Sequence, residues 1–159
     1  MLRISKLTDY AAILLAELAR RPESCVSASL LAEATGLELP TVSKVLKTLA
    51  KGDVVDSLRG VNGGYRLARS PQDISVAAIV RAMEGPIALT ECALEPGLCS
   101  FEAHCHLRGH WQQIGAAVEG ALDRLSLADL TSTQTERIAI RAVDSARAVT
   151  STQVEKRTA

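Results

Sequence analysis

Aromatic side chains are scarce in this chain of 159 residues, which has one Trp, one Phe and two Tyr. Apolar residues nevertheless make up 47% of the sequence, so Leu, Ile, Val and Ala must fill the core. Because Ala and Leu are strong helix formers, this composition predicts a mainly α-helical fold. The length suits one domain, or one compact domain with an appendage.

Long apolar runs and the motifs of common enzymes are both missing. No run of about 18 apolar residues occurs, so the sequence predicts no membrane-spanning helix. The segment Met1–Lys6 lacks the apolar core and the small-residue cleavage site of a signal peptide. We therefore expect a cytoplasmic protein with no membrane partner. There is no Ser–His–Asp grouping, phosphate-binding loop or hydrolase elbow, which predicts that the chain is not an enzyme.

Net charge is also missing, since 18 Lys or Arg balance 18 Asp or Glu, and this at first argues against a nucleic-acid partner. The charges are unevenly distributed, however. Residues 1–81 have a net charge of +3 and residues 82–130 one of −5. The stretch 39–69 alone holds six basic and two acidic residues. A basic part joined to an acidic one is compatible with DNA contact by the basic part.

Helical periodicity predicts three helices in the first third of the chain. Apolar residues recur at helical spacing over 4–20 and over 41–51. Between them a short helix, 27–35, stops before Gly36, and Pro40 suits the first position of the third helix. A short helix, a turn that contains glycine and a second helix form a helix-turn-helix, whose second helix enters the major groove of DNA.

A β-hairpin is predicted after the third helix, because the strand-like segments 54–58 and 65–69 flank a turn rich in glycine. In this position a hairpin forms a wing. We predict that six residues of the third helix and the wing contact DNA: Thr41, Ser43, Lys44, Lys47, Arg59 and Arg66. The first three are expected at base edges, and the others at phosphates or in the minor groove. For any single lysine a solvated helix face is the simpler interpretation, but the whole arrangement favours DNA binding.

The predicted fold is mainly α with a small β-hairpin wing, and it divides into four parts. Residues 1–85 form a winged helix-turn-helix domain, 86–106 an irregular loop that holds cysteines, 107–130 a dimerisation helix, and 131–159 a polar tail of weak order. The long helix, predicted over 107–125, has more apolar surface than one chain needs, so we expect a homodimer. Its apolar stripe consists of Trp111, Ile114, Val118, Leu122 and Leu125.

Three of the four cysteines, Cys92, Cys99 and Cys105, lie within 14 residues. In a reducing cytosol such groups are more often metal or redox ligands than disulfides. Their spacing lacks the close pairs of zinc sites and the Cys-x-x-Cys of thiol–disulfide exchange. Evenly spaced thiolates on a loop with proline and glycine can wrap round an iron–sulfur cluster. Zinc binding or a thiol redox switch stays open, since thiolates suit several soft metals.

Motifs in several places are specific enough to indicate a family. They are Met1–Tyr10, Pro40–Lys47, Arg59–Tyr65, Ile74-Ser75, Glu84-Gly85, and the three cysteines followed by Trp111. With these motifs, over about residues 1–130, the chain resembles the Rrf2 family of winged-helix iron–sulfur regulators, which includes the IscR, NsrR and RirA types. The stretch 85–92 looks most like the regulators of SUF-type iron–sulfur assembly genes.

That resemblance implies a transcriptional regulator that senses iron–sulfur cluster or redox status. It implies a homodimer, a palindromic operator in double-stranded DNA, and a [2Fe–2S] or [4Fe–4S] cluster that changes the affinity for DNA. The expected target is the set of SUF-type assembly genes. The alternative is a winged-helix repressor whose three cysteines bind zinc or act as a thiol redox switch.

The resemblance also bears on the fourth cluster ligand, because three cysteines leave one position for another residue. The IscR type places a His three residues after the third cysteine, where this chain has Arg108, so that ligand is missing. The NsrR type uses an aspartate early in the first helix of the partner subunit, and Asp9 stands at the matching place. His106, beside Cys105, is the alternative, since imidazole also binds iron–sulfur clusters. The implied ligands are the three cysteines and Asp9 of the partner subunit.

Overall fold

The structure, a computed structural model, describes residues 3–22, 24–60, 63–95, 97–101 and 104–132. Its helices and strands are, in chain order, α1 Lys6–Ala19, α2 Ala28–Thr35, α3 Leu39–Lys51, β1 Val55–Leu58, β2 Gly64–Leu67, α4 Val76–Glu84, α5 Glu91–Leu94, α6 Arg108–Asp123 and α7 Leu127–Thr131. A short 3-10 helix, Pro71–Asp73, precedes α4. The two strands pair in antiparallel fashion. The prediction of a mainly helical fold with a β-hairpin is confirmed.

Serine caps determine where three of the helices begin. Ser5, Ser27 and Ser75 each accept a hydrogen bond from the backbone N–H three residues further on, which satisfies a donor that the first helical turn leaves unpaired. At the end of α2, Gly36 has a φ of 70°, a left-handed conformation that costs glycine little. The predicted end of the second helix is therefore confirmed. α3 begins at Leu39, two residues earlier than predicted.

The apolar core lies between α1, α2, α3 and α4. Its largest fully buried side chains include Leu14, Leu15, Leu18, Leu31, Leu46, Leu49 and Ile74. Burying one such side chain contributes about 1.5–3 kcal/mol relative to leaving it exposed. The four apolar residues predicted to face inward from α3 are all buried: Val42, Val45, Leu46 and Leu49.

The wing is fastened to the helices by the segment that precedes α2. Val26 donates from its N–H to the Tyr65 carbonyl over 2.9 Å and accepts from the Tyr65 N–H over 2.8 Å. A Cβ added to Gly64 would lie 2.5 Å from the Val26 carbonyl oxygen, so this close approach requires glycine. Both strands are one residue shorter than predicted: β1 begins at Val55 instead of residue 54, and β2 spans Gly64–Leu67 instead of 65–69.

The long helix ends earlier than predicted, and the chain then folds back as α7. α6 stops at Asp123, whereas we predicted a helix over 107–125. Ser126 and Asp129 form a capping box at the start of α7, and Leu127 is fully buried in the core. The segment 107–130 thus contains two helices, the second packed on α1. The local signal for α7 was the Ser-x-x-Asp pattern, a variant of the capping-box sequence.

Two other predictions concern the second half of the chain. The cysteine loop 86–106, predicted to be irregular, contains one helical turn, α5. Of the polar tail predicted for 131–159, residues 133–159 lie outside the described residues. In the part of the chain that is described, no helix has the length and apolar character needed to cross a membrane.

If α7 belongs to the core, Leu127→Ala should lower the free energy of unfolding by about 2–5 kcal/mol, because it leaves a cavity among buried side chains. The matched control is Leu58→Ala, since Leu58 is 41% exposed on the wing and should cost less than about 1 kcal/mol. Urea denaturation of both variants measures the difference. Equal losses would show that α7 does not contribute to the core.

Candidate functional site

α3 carries the first group of predicted site residues on the side opposite its buried apolar face. Lys44 and Lys47 are exposed, while Thr41 and Ser43 are half-buried. The two lysines are three residues apart, so they lie on one face of the helix. The four predicted DNA contacts of α3 are therefore presented together, with both cations in solvent. Such a face can meet the phosphates and base edges of a major groove.

The wing carries the other two predicted DNA contacts. Arg59 is exposed and directly follows β1. Arg66 lies opposite Asp56 in the strand register, and its Nε is 3.2 Å from the Asp56 Oδ2. The register that brings these two side chains together was not predicted. Because an exposed ion pair contributes no more than about 1 kcal/mol, Arg66 can exchange this carboxylate for a phosphate at small cost.

The cysteine loop holds its three thiols in different surroundings. Cys92, on α5, is buried, whereas Cys99 and Cys105 are half-buried, and all three are free thiols. The Thr90 hydroxyl lies 3.4 Å from the Cys92 Sγ. The Arg108 Nε, on the first residue of α6, donates a hydrogen bond to the Cys92 carbonyl oxygen over 3.0 Å. One of the three cysteines is thus fixed against α6.

The predicted fourth ligands are both exposed. Asp9 lies in the first turn of α1, and His106 lies in the turn before α6. Among the described residues, no three His, Cys, Asp or Glu side chains are close enough to hold a metal ion. A single chain in this conformation therefore does not assemble Cys92, Cys99 and Cys105 with either candidate.

A groove with mostly apolar walls runs beside Asp9. It has a volume of about 400 Å³ and lies between α1, α4 and α7. Its apolar lining residues include Ile4, Val76, Val80 and Leu130. Asp9 and Lys6 place a negative and a positive charge at its edge. An apolar side chain with a polar neighbour would fit such a groove.

The apolar face of α6 is largely uncovered. Within α6, all of whose residues are described, only Gly115 is buried. Trp111 is 37% exposed and Ile114 45% exposed, and the exposed Leu107 directly precedes the helix. Neighbouring exposed apolar side chains are typical of a site of association. Of the predicted stripe, Trp111 and Ile114 are exposed, whereas Val118, Leu122 and Leu125 are half-buried.

Glu84 joins the end of α4 to the start of α1, beside Asp9. Its carboxylate accepts hydrogen bonds from the Ser5 N–H, over 3.1 Å, and from the Thr8 hydroxyl. Side-chain hydrogen bonds from Ser5 and then Thr8 lower the pKa of Glu84, because they favour its charged form. Sequence reasoning did not single out Glu84 as a site residue. Its partner is 76 residues away in the chain, so no local pattern marked it.

Arg81 joins the same helix to α6. Its guanidinium contacts the Glu119 carboxylate and lies 3.4 Å from the Asp123 Oδ1. Asp123 also accepts a hydrogen bond from the Ser75 hydroxyl over 2.8 Å. α4 therefore connects, through charged groups, both to the helix that carries Asp9 and to the helix that follows the cysteine loop.

Comparisons of this chain with known proteins point to one family. Residues 4–133 match the Rrf2 family, described as an iron-dependent transcriptional regulator. The chain is 29% identical over 137 residues to the HTH-type transcriptional regulator NsrR of Halalkalibacterium halodurans, which covers 85% of this chain and 94% of that protein. The family match spans α3, the cysteine loop and α6.

Solved structures agree with the sequence comparison. The fold is similar to that of CymR, the global cysteine regulator of B. subtilis, at 30% identity and a TM-score of 0.63, over 84% of this chain and 99% of that one. It is also similar to IscR of T. potens, at 32% identity and a TM-score of 0.57, over 81% of this chain and 85% of that one.

The hydrogen bonds to Glu84 predict a specific dependence of stability on pH. Because the pKa of Glu84 is lowered in the folded state, its contribution is complete above the unfolded-state pKa and is lost as the pH falls through the folded-state pKa. Glu84→Gln should therefore lose less stability than the wild type between pH 6 and pH 3. Since Glu84 is mostly in solvent, the difference should be below about 1 kcal/mol.

Urea denaturation at several pH values measures this effect. Thr8→Val removes one donor to Glu84 and should reduce the same acid-dependent component. A Glu84→Gln variant with the wild-type pH dependence would contradict the assignment.

Proposed function

Since the chain belongs to the Rrf2 family and is a DNA-binding transcriptional regulator rather than an enzyme, we propose that it is a homodimer whose affinity for a palindromic operator is controlled by an iron–sulfur cluster. The observation that carries this proposal is the cysteine loop, in which three free thiols lie between the DNA-binding helices and α6. The proposed targets include SUF-type iron–sulfur assembly genes, as the resemblance of residues 85–92 implies.

DNA contact is assigned to the exposed side of α3 and to the wing. Thr41, Ser43 and Lys44 would meet base edges, and Lys47 the phosphate backbone, because the first turns of a recognition helix lie deepest in the groove. Arg59 and Arg66 would contact the backbone or minor groove beside it. This assignment is supported by the solvent exposure of all four cations.

A homodimer is supported by two apolar surfaces, the face of α6 and the groove beside Asp9. Two copies would cover both surfaces if α6 of each met the groove of the other. A two-fold dimer of this kind presents two identical α3 helices, and it therefore matches half-sites related by the same symmetry. This is the reason for expecting a palindromic operator.

The three cysteines of the loop are chemically suited to bind an iron–sulfur cluster. Thiolates are the usual ligands of such clusters, and three free thiols lie on one loop, one of them buried. Because the described conformation does not gather three ligands, binding requires the segments of Cys99 and Cys105 to close toward Cys92. When bound, a cluster supplies metal–ligand bonds that link distant parts of the protein and break on oxidation or metal loss.

The fourth ligand decides which parts become linked. We assign it to Asp9 of the partner subunit, with His106 of the same loop as the alternative. Asp9 lies on α1 next to Thr8, which is 4% exposed and bonded to Glu84. A ligand at Asp9 would therefore connect the cysteine loop of one subunit to the DNA-binding domain of the other. The domain arrangement in which Asp9 binds the cluster would then differ in free energy from the arrangement in which it does not. A conformational switch requires such a difference.

A zinc site or thiol redox switch at the same cysteines is the second candidate. The redox switch is supported by the partial exposure of Cys99 and Cys105, which leaves both thiols accessible to oxidants. Both candidates share the DNA-binding assignment and differ only in the signal.

Anaerobic purification decides between these candidates. We expect a brown protein with charge-transfer absorption, iron and acid-labile sulfide, and the loss of these in Cys92→Ala, Cys99→Ala and Cys105→Ala. Cys25→Ala is the matched control and should keep the cluster. Asp9→Ala should alter or destabilise it, and unchanged spectra would move the fourth ligand to His106. A colourless wild type that contains zinc would instead support the second candidate.

The DNA-binding assignment is tested by Lys44→Ala and Arg59→Ala. Each should weaken operator binding about tenfold, or about 1.4 kcal/mol, because a charge-assisted contact is lost. Lys51→Ala removes the same charge at the opposite end of α3 and should change affinity less. Fluorescence anisotropy on DNA from the protein's own upstream region measures the three affinities. Equal affinities would show that α3 and the wing do not face the DNA as proposed.

A further inference from the structure

Arg108 is the only Lys or Arg between residues 85 and 123, and it stands at the junction of the cysteine loop and α6. It is the first residue of that helix. Its Nε donates to the Cys92 carbonyl oxygen, although the two residues are 16 positions apart. The contact therefore closes the cysteine loop at its base, from the first of the three cysteines to a residue just beyond the third.

This contact supports a segment that has little stability of its own. α5 is a single turn, Glu91–Leu94, and isolated turns of helix are unstable because nucleation is costly. α5 packs on α6, and Arg108 adds a charge-assisted hydrogen bond to that packing. The Thr90 hydroxyl also lies 3.4 Å from the Cys92 sulfur. Cys92 is consequently placed before any ligand binds, whereas Cys99 and Cys105 are less enclosed.

The chemistry of a guanidinium gives this position a second consequence. Arginine stays protonated at any physiological pH and has no acceptor lone pair, so it cannot ligate a metal. The surrounding sequence is acidic, since residues 82–130 carry a net charge of −5. Thiolates and a carboxylate gathered there would add further negative charge. A fixed cation beside Cys92 offsets that charge.

We propose that Arg108 positions Cys92 and supplies the counter-charge of the ligand loop. This inference rests on the proposed function. A positive charge at this place also favours the reduced, more negative state of a bound cluster.

Three variants separate these roles. Arg108→Gln removes the charge and keeps most of the length, Arg108→Lys keeps the charge, and Arg124→Gln is the matched control. Arg124 is the other basic residue of 82–130 and lies exposed at the far end of α6. All three are made in the full chain.

The first measurement needs no cluster. In the metal-free, reduced protein, the rate at which iodoacetamide alkylates Cys92 is followed by mass spectrometry, relative to Cys99 and Cys105. We expect a several-fold increase in Arg108→Gln, a smaller one in Arg108→Lys, and none in Arg124→Gln. A wild-type rate in Arg108→Gln would overturn the positioning role.

The second measurement uses the anaerobically purified protein. The midpoint potential of the cluster should become more negative in Arg108→Gln, stay near the wild-type value in Arg108→Lys, and not change in Arg124→Gln. An unchanged potential in Arg108→Gln would overturn the counter-charge role. A wild type without iron or sulfide would overturn the proposed function together with this role, and the alkylation rates would then decide the positioning role alone.

Discussion

Burial of the apolar face of α3 is the constraint on which the rest of the structure depends. Four side chains of this helix are buried against α1, α2 and α4, and an amphipathic helix so fixed has only one face left for solvent. That face carries Lys44 and Lys47. The first strand of the wing, β1, follows α3 and packs against it, so the same core packing also places the wing and its arginines. The surface proposed to contact DNA is thus a consequence of core packing.

α4 extends this constraint to the second half of the chain. Its Glu84 accepts hydrogen bonds from the first turn of α1, and its Arg81 pairs with carboxylates of α6. The two residues are one helical turn apart. A displacement of α6 would therefore act on the helix that holds α1, and α1 packs directly on α3. Discrete packed and hydrogen-bonded contacts of this kind are what allow two sites to be coupled.

The interactions within the cysteine loop are not sufficient to bring its three thiols together. Cys92 is buried and is held by Thr90 and Arg108. Among the described residues, Cys99 and Cys105 do not form a metal-binding group with it. The exposed apolar face of α6 and the groove beside Asp9 are likewise left uncovered by the described residues of one chain. In the proposed homodimer a second subunit would meet all three features, so cluster binding and dimer formation would depend on each other.

Local patterns were sufficient for the helix-turn-helix and the wing. The caps of α2, the glycine that ends it and the apolar spacing of α3 are each set by residues within one or two turns, and they predicted the observed elements to within about two residues. The same holds for the inward side chains of α3. By contrast, α5 and α7 were not predicted, because a single helical turn depends on what it packs against.

What the sequence by itself determined is the set of elements in the first half of the chain, the exposed cations of α3 and the presence of three clustered thiols. Only the tertiary structure decided that Asp56 faces Arg66, that Glu84 meets α1, that Leu127 is buried in the core and that Arg108 holds Cys92. The physical reason is the distance along the chain: each of these contacts joins residues at least 10 positions apart, and the contacts of Glu84 span 76 and 79 positions. No local preference of the backbone encodes which of these residues will meet.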